Sequence, residues 1–207
     1  MTSPEVAQFG DYIRESFSRH GLPVDRCSRI FFSQLAHMPG YSGLNYPFQF
    51  VEREIRHLEG KGDTITKPAA AFNKSGPLRN FMHKHFCVAG YEHLGVNAKL
   101  AWKLDNPRSP KFFQMALRVA KPYKNRDLNE ADSWKFAGEL ANEIVHGAGG
   151  LDDRLAGSAT GDWIIYLPHH GQNYYLCIAE HDEDRFILDT IKHCAAEFPF
   201  VCAYVSP

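Results

Sequence analysis

The chain has 207 residues, 44% of them hydrophobic and 13% aromatic, which is enough apolar side chain for a packed core and too much for a disordered chain. Its 23 basic and 24 acidic side chains leave a formal charge of -1, so no global field draws it onto nucleic acid or an anionic membrane, and any basic surface has to be local. No apolar run approaches the roughly 20 residues that cross a bilayer.

Ser3-Pro4-Glu5 has the form of a helix start: a hydroxyl cap, proline in the first turn and an acid near the positive end. Val6, Phe9, Ile13 and Phe17 follow at helical spacing, and His20-Gly21 closes the segment. Glu5, Asp11, Arg14 and Glu15 interrupt its apolar positions, so it does not read as a signal peptide. A second helix is expected over 25–37, a loop over 41–47 and a third helix over 48–58. The polar stretch 61–77, with two prolines and two glycines, is the best internal boundary. Residues 78–87 fit either period, and extended structure is the preferred reading. Helices are then expected over 91–103, 111–120 and 129–146. The last carries Trp134, Ala137, Leu140, Ala141, Ile144 and Val145 on its apolar side. Two β-rich runs, 162–167 and 173–180, flank Pro168-His169-His170-Gly171-Gln172 as a hairpin. Asp184 can cap a helix, and 198–205 reads as a final strand.

The expected fold class is α+β: a helical N-terminal part (1–60) packed on a small antiparallel sheet, ending in a C-terminal β-β-α-β unit. One domain is expected over 1–207, with 61–207 as its mixed part. The five cysteines, Cys27, Cys87, Cys177, Cys194 and Cys202, are odd in number, form no CxxC pair and lie in apolar stretches. They predict buried thiols in a reducing compartment, hence a cytoplasmic protein with no membrane partner.

Histidine is over-represented, with 11 residues, and it is the usual general acid or base near neutrality. On a strand, His83 and His85 share one face and Lys84 takes the other. Two imidazoles so placed suit acid and base roles in RNA cleavage, with Arg79 and Lys84 holding phosphate. They equally suit two metal ligands with His93 as a third, or ordinary polar positions on a half-exposed strand. Glu139, Glu143 and His146 share a helical face, but a carboxylate-bridged metal site needs Glu-x-x-His twice, so a solvated stripe is the simpler reading. His169, His170 and His181 cluster around the hairpin with Tyr174 and Tyr175. His181 lies beside Asp182 and Glu183, whose charges favour its protonated form. Nucleotide-binding glycine motifs, a GxSxG elbow and cysteine-pair zinc motifs are all missing.

Gly76-Pro77-Leu78-Arg79-Asn80-Phe81 with the basic segment after it, and Gly161-Asp162-Trp163-Ile164-Ile165-Tyr166 with Tyr174-Tyr175-Leu176, resemble two segments (76–86 and 161–181) of the RelE-type toxin endoribonucleases. Ile164 or Ile165 stands where that family's first hairpin strand carries arginine. The resemblance implies metal-free RNA cleavage by attack of a 2′-hydroxyl. The expected function is therefore a small intracellular RNA-cleaving enzyme of toxin or effector type. His83 and His85 would be acid and base, Arg79 and Lys84 would contact phosphate, and Tyr174 or His181 would position substrate. RNA and an antitoxin or other protein are the expected partners, and no cofactor is expected. The alternatives are a non-catalytic binding or regulatory protein, in which Trp163, Tyr166 and Tyr175 line a partner groove, and a histidine-ligated metal hydrolase.

Overall fold

The computed structural model describes residues 4–37, 48–87, 91–103, 106, 109–125, 127, 129–156, 158–180 and 184–205. It is an α+β fold built on a four-stranded antiparallel sheet. Helices α1 (Pro4–Arg19), α2 (Arg29–His37) and α3 (Phe48–Leu58) come first. A two-residue strand β1 (Ala70–Ala71) and β2 (Met82–His85) follow, then α4 (Tyr91–Trp102), α5 (Pro110–Ala120), α6 (Glu130–His146) and α7 (Leu151–Leu155). The chain ends with β3 (Trp163–His169), β4 (Gln172–Ala179), α8 (Asp184–Cys194) and a short α9 (Cys202–Val205). The loop expected over 41–47 lies outside the described residues.

The sheet order is β1-β2-β3-β4. Because side chains alternate along a strand, Ile164 and Tyr166 enter one core while Ile165 and Leu167 enter another. The first core packs Ile13, Phe17, Phe31, Phe32, Val51 and Ile55 of α1–α3 against the sheet. The second packs Ile187, Ile191 and Cys194 of α8, with Phe198 and Val201, against the other face. His170 (φ 48°) and Gly171 (φ 77°) form the two-residue hairpin turn, both with the positive φ that matches the twist of the strands.

Three expectations change. The segment 61–77 is tied to the rest of the fold: Ala70 and Ala71 join the sheet opposite His83 and Met82, and Thr66 makes an isolated bridge to Ala159 outside it. Residues 198–205 form a 3-10 turn (Pro199–Val201) and α9 instead of a closing strand, so the C-terminal unit runs β-β-α with a helical tail. The outer edge of β4 is already occupied: Ser28 N–H donates to Tyr175 O, and the Gln34 amide exchanges hydrogen bonds with Ile178 at 2.7 and 2.9 Å. Finally, Trp134 is 73% exposed, and α6 instead turns Leu140 and Ile144 onto a small satellite core around Trp102 and Met115.

Candidate functional site

β2 forms because Met82, and Phe86 just beyond its end, belong to the first core and its backbone pairs with β3, His83 opposite Ile165 and His85 opposite Trp163. His83 and His85 share a face, their ring centroids 5.6 Å apart. That face is covered. The His83 ring lies 4.7 Å from Phe72 and 4.9 Å from Trp163. His85 is only 5% exposed, with Nδ1 2.9 Å from Gly161 O.

Lys84 does not meet phosphate. Its side chain has no exposed surface, and Nζ lies 2.9 Å from Glu54 Oε2. It also donates to Thr64 Oγ1 (2.8 Å) and Lys67 O (2.7 Å). Burial pulls the ammonium below the ordinary lysine range, and the hydrogen-bonded Glu54 carboxylate offsets only part of that shift. Sequence placed Lys84 on the opposite face from the histidines, and it is there; that face is the core, not the solvent.

Arg79 is exposed in the turn before β2. Tyr174 is half-buried at the other end of the sheet, opposite Leu167, and packs on Phe198 (5.2 Å) and Phe200 (4.7 Å). His181 lies outside the described residues. Of the expected site, then, only His83 and His85 are shown in mutual contact. Glu139 accepts from the Tyr123 hydroxyl (2.9 Å), Glu143 pairs with Arg118, and His146 lies 2.6 Å from Asp152, so that stripe is tied up within the helical layer. Among the described residues no group of three or more His, Cys, Asp or Glu is arranged to hold a metal ion.

A different constellation faces solvent. Tyr12, Ser16 and Arg19 recur at helical spacing on α1, His20 follows in the turn that closes it, and Gln49, Glu52, Arg53 and Arg56 recur so on α3. The two rows line a groove of about 710 Å³, with Phe48, Gly62, Asp63 and Ile65 completing its walls. Glu52 lies at its base, 6% exposed. One carboxylate oxygen accepts from Ser16 Oγ (3.4 Å) and the other makes a short contact with His20 Nδ1. In the tautomer with Nδ1 donating to the carboxylate, Nε2 of the half-exposed imidazole is the ring nitrogen left to accept a proton. Arg19, Arg53 and Arg56 bring positive charge to the same cavity, and Tyr12, 44% exposed, stands edge-on to Phe48 at 6.1 Å.

This arrangement is chemically a base held by a buried carboxylate, beside guanidinium groups suited to phosphate and an aromatic surface suited to a ring. Nothing in the sequence marks it. His20 and Glu52 are 32 positions apart, one in the turn after α1 and the other on α3, and His20 reads locally as part of the His20-Gly21 pair that closes the first helix. No known family model matches the chain, nor does any curated protein or solved structure match it significantly.

Proposed function

We infer that the chain is a metal-independent enzyme acting on single-stranded RNA, and that the groove between α1 and α3 holds the reacting phosphodiester. The observation that carries this reading is the His20–Glu52 dyad opening into a cavity that also takes Arg19, Arg53 and Arg56. His20 Nε2 removes the proton from a ribose 2′-hydroxyl. The resulting oxygen bonds to phosphorus, the bond to the 5′-oxygen breaks, and that oxygen takes a proton from water. The products are a 2′,3′-cyclic phosphate and a 5′-hydroxyl, and the proton on His20 returns to solvent. The arginines stabilise the charge that builds on the phosphate oxygens. Tyr12 offers its ring face to an unstacked base.

The test is cleavage of a fluorescent single-stranded RNA in the presence of chelator. His20→Ala is expected to lower turnover by about 100-fold or more, the low end of what a positioned base supplies. Arg53→Ala and Arg56→Ala are expected to raise KM and to flatten the salt dependence, since fewer phosphate contacts release fewer counterions. Cleavage unchanged in His20→Ala but lost in His83→Ala would move the chemistry back to the β2 pair. Tight binding of RNA with no turnover would favour a binding module.

A further inference from the structure

We propose that the face formed by α5, the 3-10 turn Lys121–Tyr123 and α6 is a docking groove for an acidic amphipathic helix of a partner protein. The proposal is independent of the RNA reading.

Helix α6 has 17 residues and none of them is buried. A helix of this length in water draws most of its stability from burying an apolar face, and here that face is largely uncovered. Phe113 and Leu117, one turn apart on α5, are 63% and 54% exposed. Leu117 continues into a cavity of about 440 Å³ lined by Ala120, Lys121, Tyr123, Lys124 and Phe136. Its floor is rigid: Tyr123 and Phe136 meet edge to face at 5.4 Å, and the Tyr123 hydroxyl is fixed by Glu139. An apolar cleft extended by a one-turn stripe of exposed side chains has the shape that receives a helix presenting residues at i and i+4.

Charge selects the kind of helix. The lining carries two lysines and no carboxylate. Among the described residues neither Lys121 nor Lys124 is in an ion pair, while the nearby acids are engaged, Glu139 by Tyr123 and Glu143 by Arg118. A helix with apolar residues along one stripe and Asp or Glu flanking them matches both features, the carboxylates meeting the two ammonium groups at the rim.

The experiment uses the full chain and a fluorescein-labelled synthetic helix of about four turns, leucine on one stripe and glutamate elsewhere. Its control replaces every glutamate by lysine. Binding is read by fluorescence anisotropy. The acidic peptide is expected to bind, more weakly at high salt, and the basic one to fail. Leu117→Ser and the double variant Lys121→Glu/Lys124→Glu are each expected to weaken binding by about tenfold or more. All of these positions are exposed, and unchanged circular dichroism confirms that the fold is kept. Equal binding of both peptides, or unchanged affinity in the variants, overturns the proposal. So does a dimer in sedimentation that Leu117→Ser dissociates, since a second copy would then be the occupant.

Discussion

At the residue scale the decisive property is what each charged side chain is buried against. Arg26 reaches Glu59 with both terminal nitrogens (3.1 and 2.5 Å) and also donates to Asn173 O, while the Tyr175 hydroxyl donates to Glu59 at 2.7 Å. Burial alone would raise the Glu59 carboxyl, but the hydrogen bonds from Arg26 and Tyr175 outweigh it and leave the group below its usual value. A carboxyl depressed in the folded state adds stability above its unfolded value, and that stability is lost as pH falls through the folded value. The melting temperature should therefore fall below about pH 4.5 through this group. Glu59→Gln should remove part of that acid limb, measured against the parent in the same buffers. Lys84 makes a second residue-scale case. Lys84→Ala strips the buried Glu54 of its partner and should cost about 3–5 kcal/mol in a urea melt. A loss below about 1 kcal/mol would mean that the pair is open to water. The thiols follow the same logic. Cys27, Cys177 and Cys194 are buried, and burial pushes all three above the usual thiol value, Cys194 to about 11. Cys202 is exposed. A thiol reagent at pH 8 should label Cys202 in the native protein and leave those three intact until denaturant is added, then label all five cysteines.

At the scale of elements, the β3–β4 hairpin is the piece whose energetics are simplest to state. Ile165 and Leu176 are completely buried in the core beneath α8. Ile165→Ala or Leu176→Ala should each cost about 2–5 kcal/mol, the range for losing a large aliphatic side chain without full collapse of the cavity. Tyr174, half-buried near the hairpin turn, should cost less when replaced by Ala. The join between the hairpin and β2 depends on a glycine. A Cβ at Gly161 would collide with the carbonyl of Phe86, and Phe86 N–H donates to Asp162 O at 2.9 Å, so backbone approaches backbone there. Gly161→Ala should lower the melting temperature and disturb β2. Amide exchange of residues 82–86 reads that directly, and unchanged protection would show that the contact yields at little cost.

Across the whole molecule, local pattern and tertiary packing divide the result between them. Helices α1, α3, α5 and α6 and the hairpin were legible because their residues repeat at the helical or strand period and carry their own ends. Asn129 caps α6 in a reciprocal box with Asp132, and Gly171 sits in the turn. The α+β class follows from those elements alone. Segment 78–87 could be decided only by pairing: Met82–His85 is a strand because β3 lies alongside, and its alternation then sends Lys84 into the core rather than toward solvent. Segment 198–205 went the other way, since Ser28 and Gln34 take up the β4 edge that a further strand would have used. The candidate site was hidden for the same reason. His20, Glu52 and the three arginines carry no motif, and only the packing of α1 beside α3 brings them into one groove. Sequence by itself determined the periodic elements and the burial of four thiols, Cys27, Cys87, Cys177 and Cys194, because both are written in neighbouring residues; Cys202, expected on a closing strand, lies on α9 and is exposed. Which polar side chains face each other, and hence where chemistry can occur, was decided by contacts between residues far apart in the chain, which local spacing does not encode.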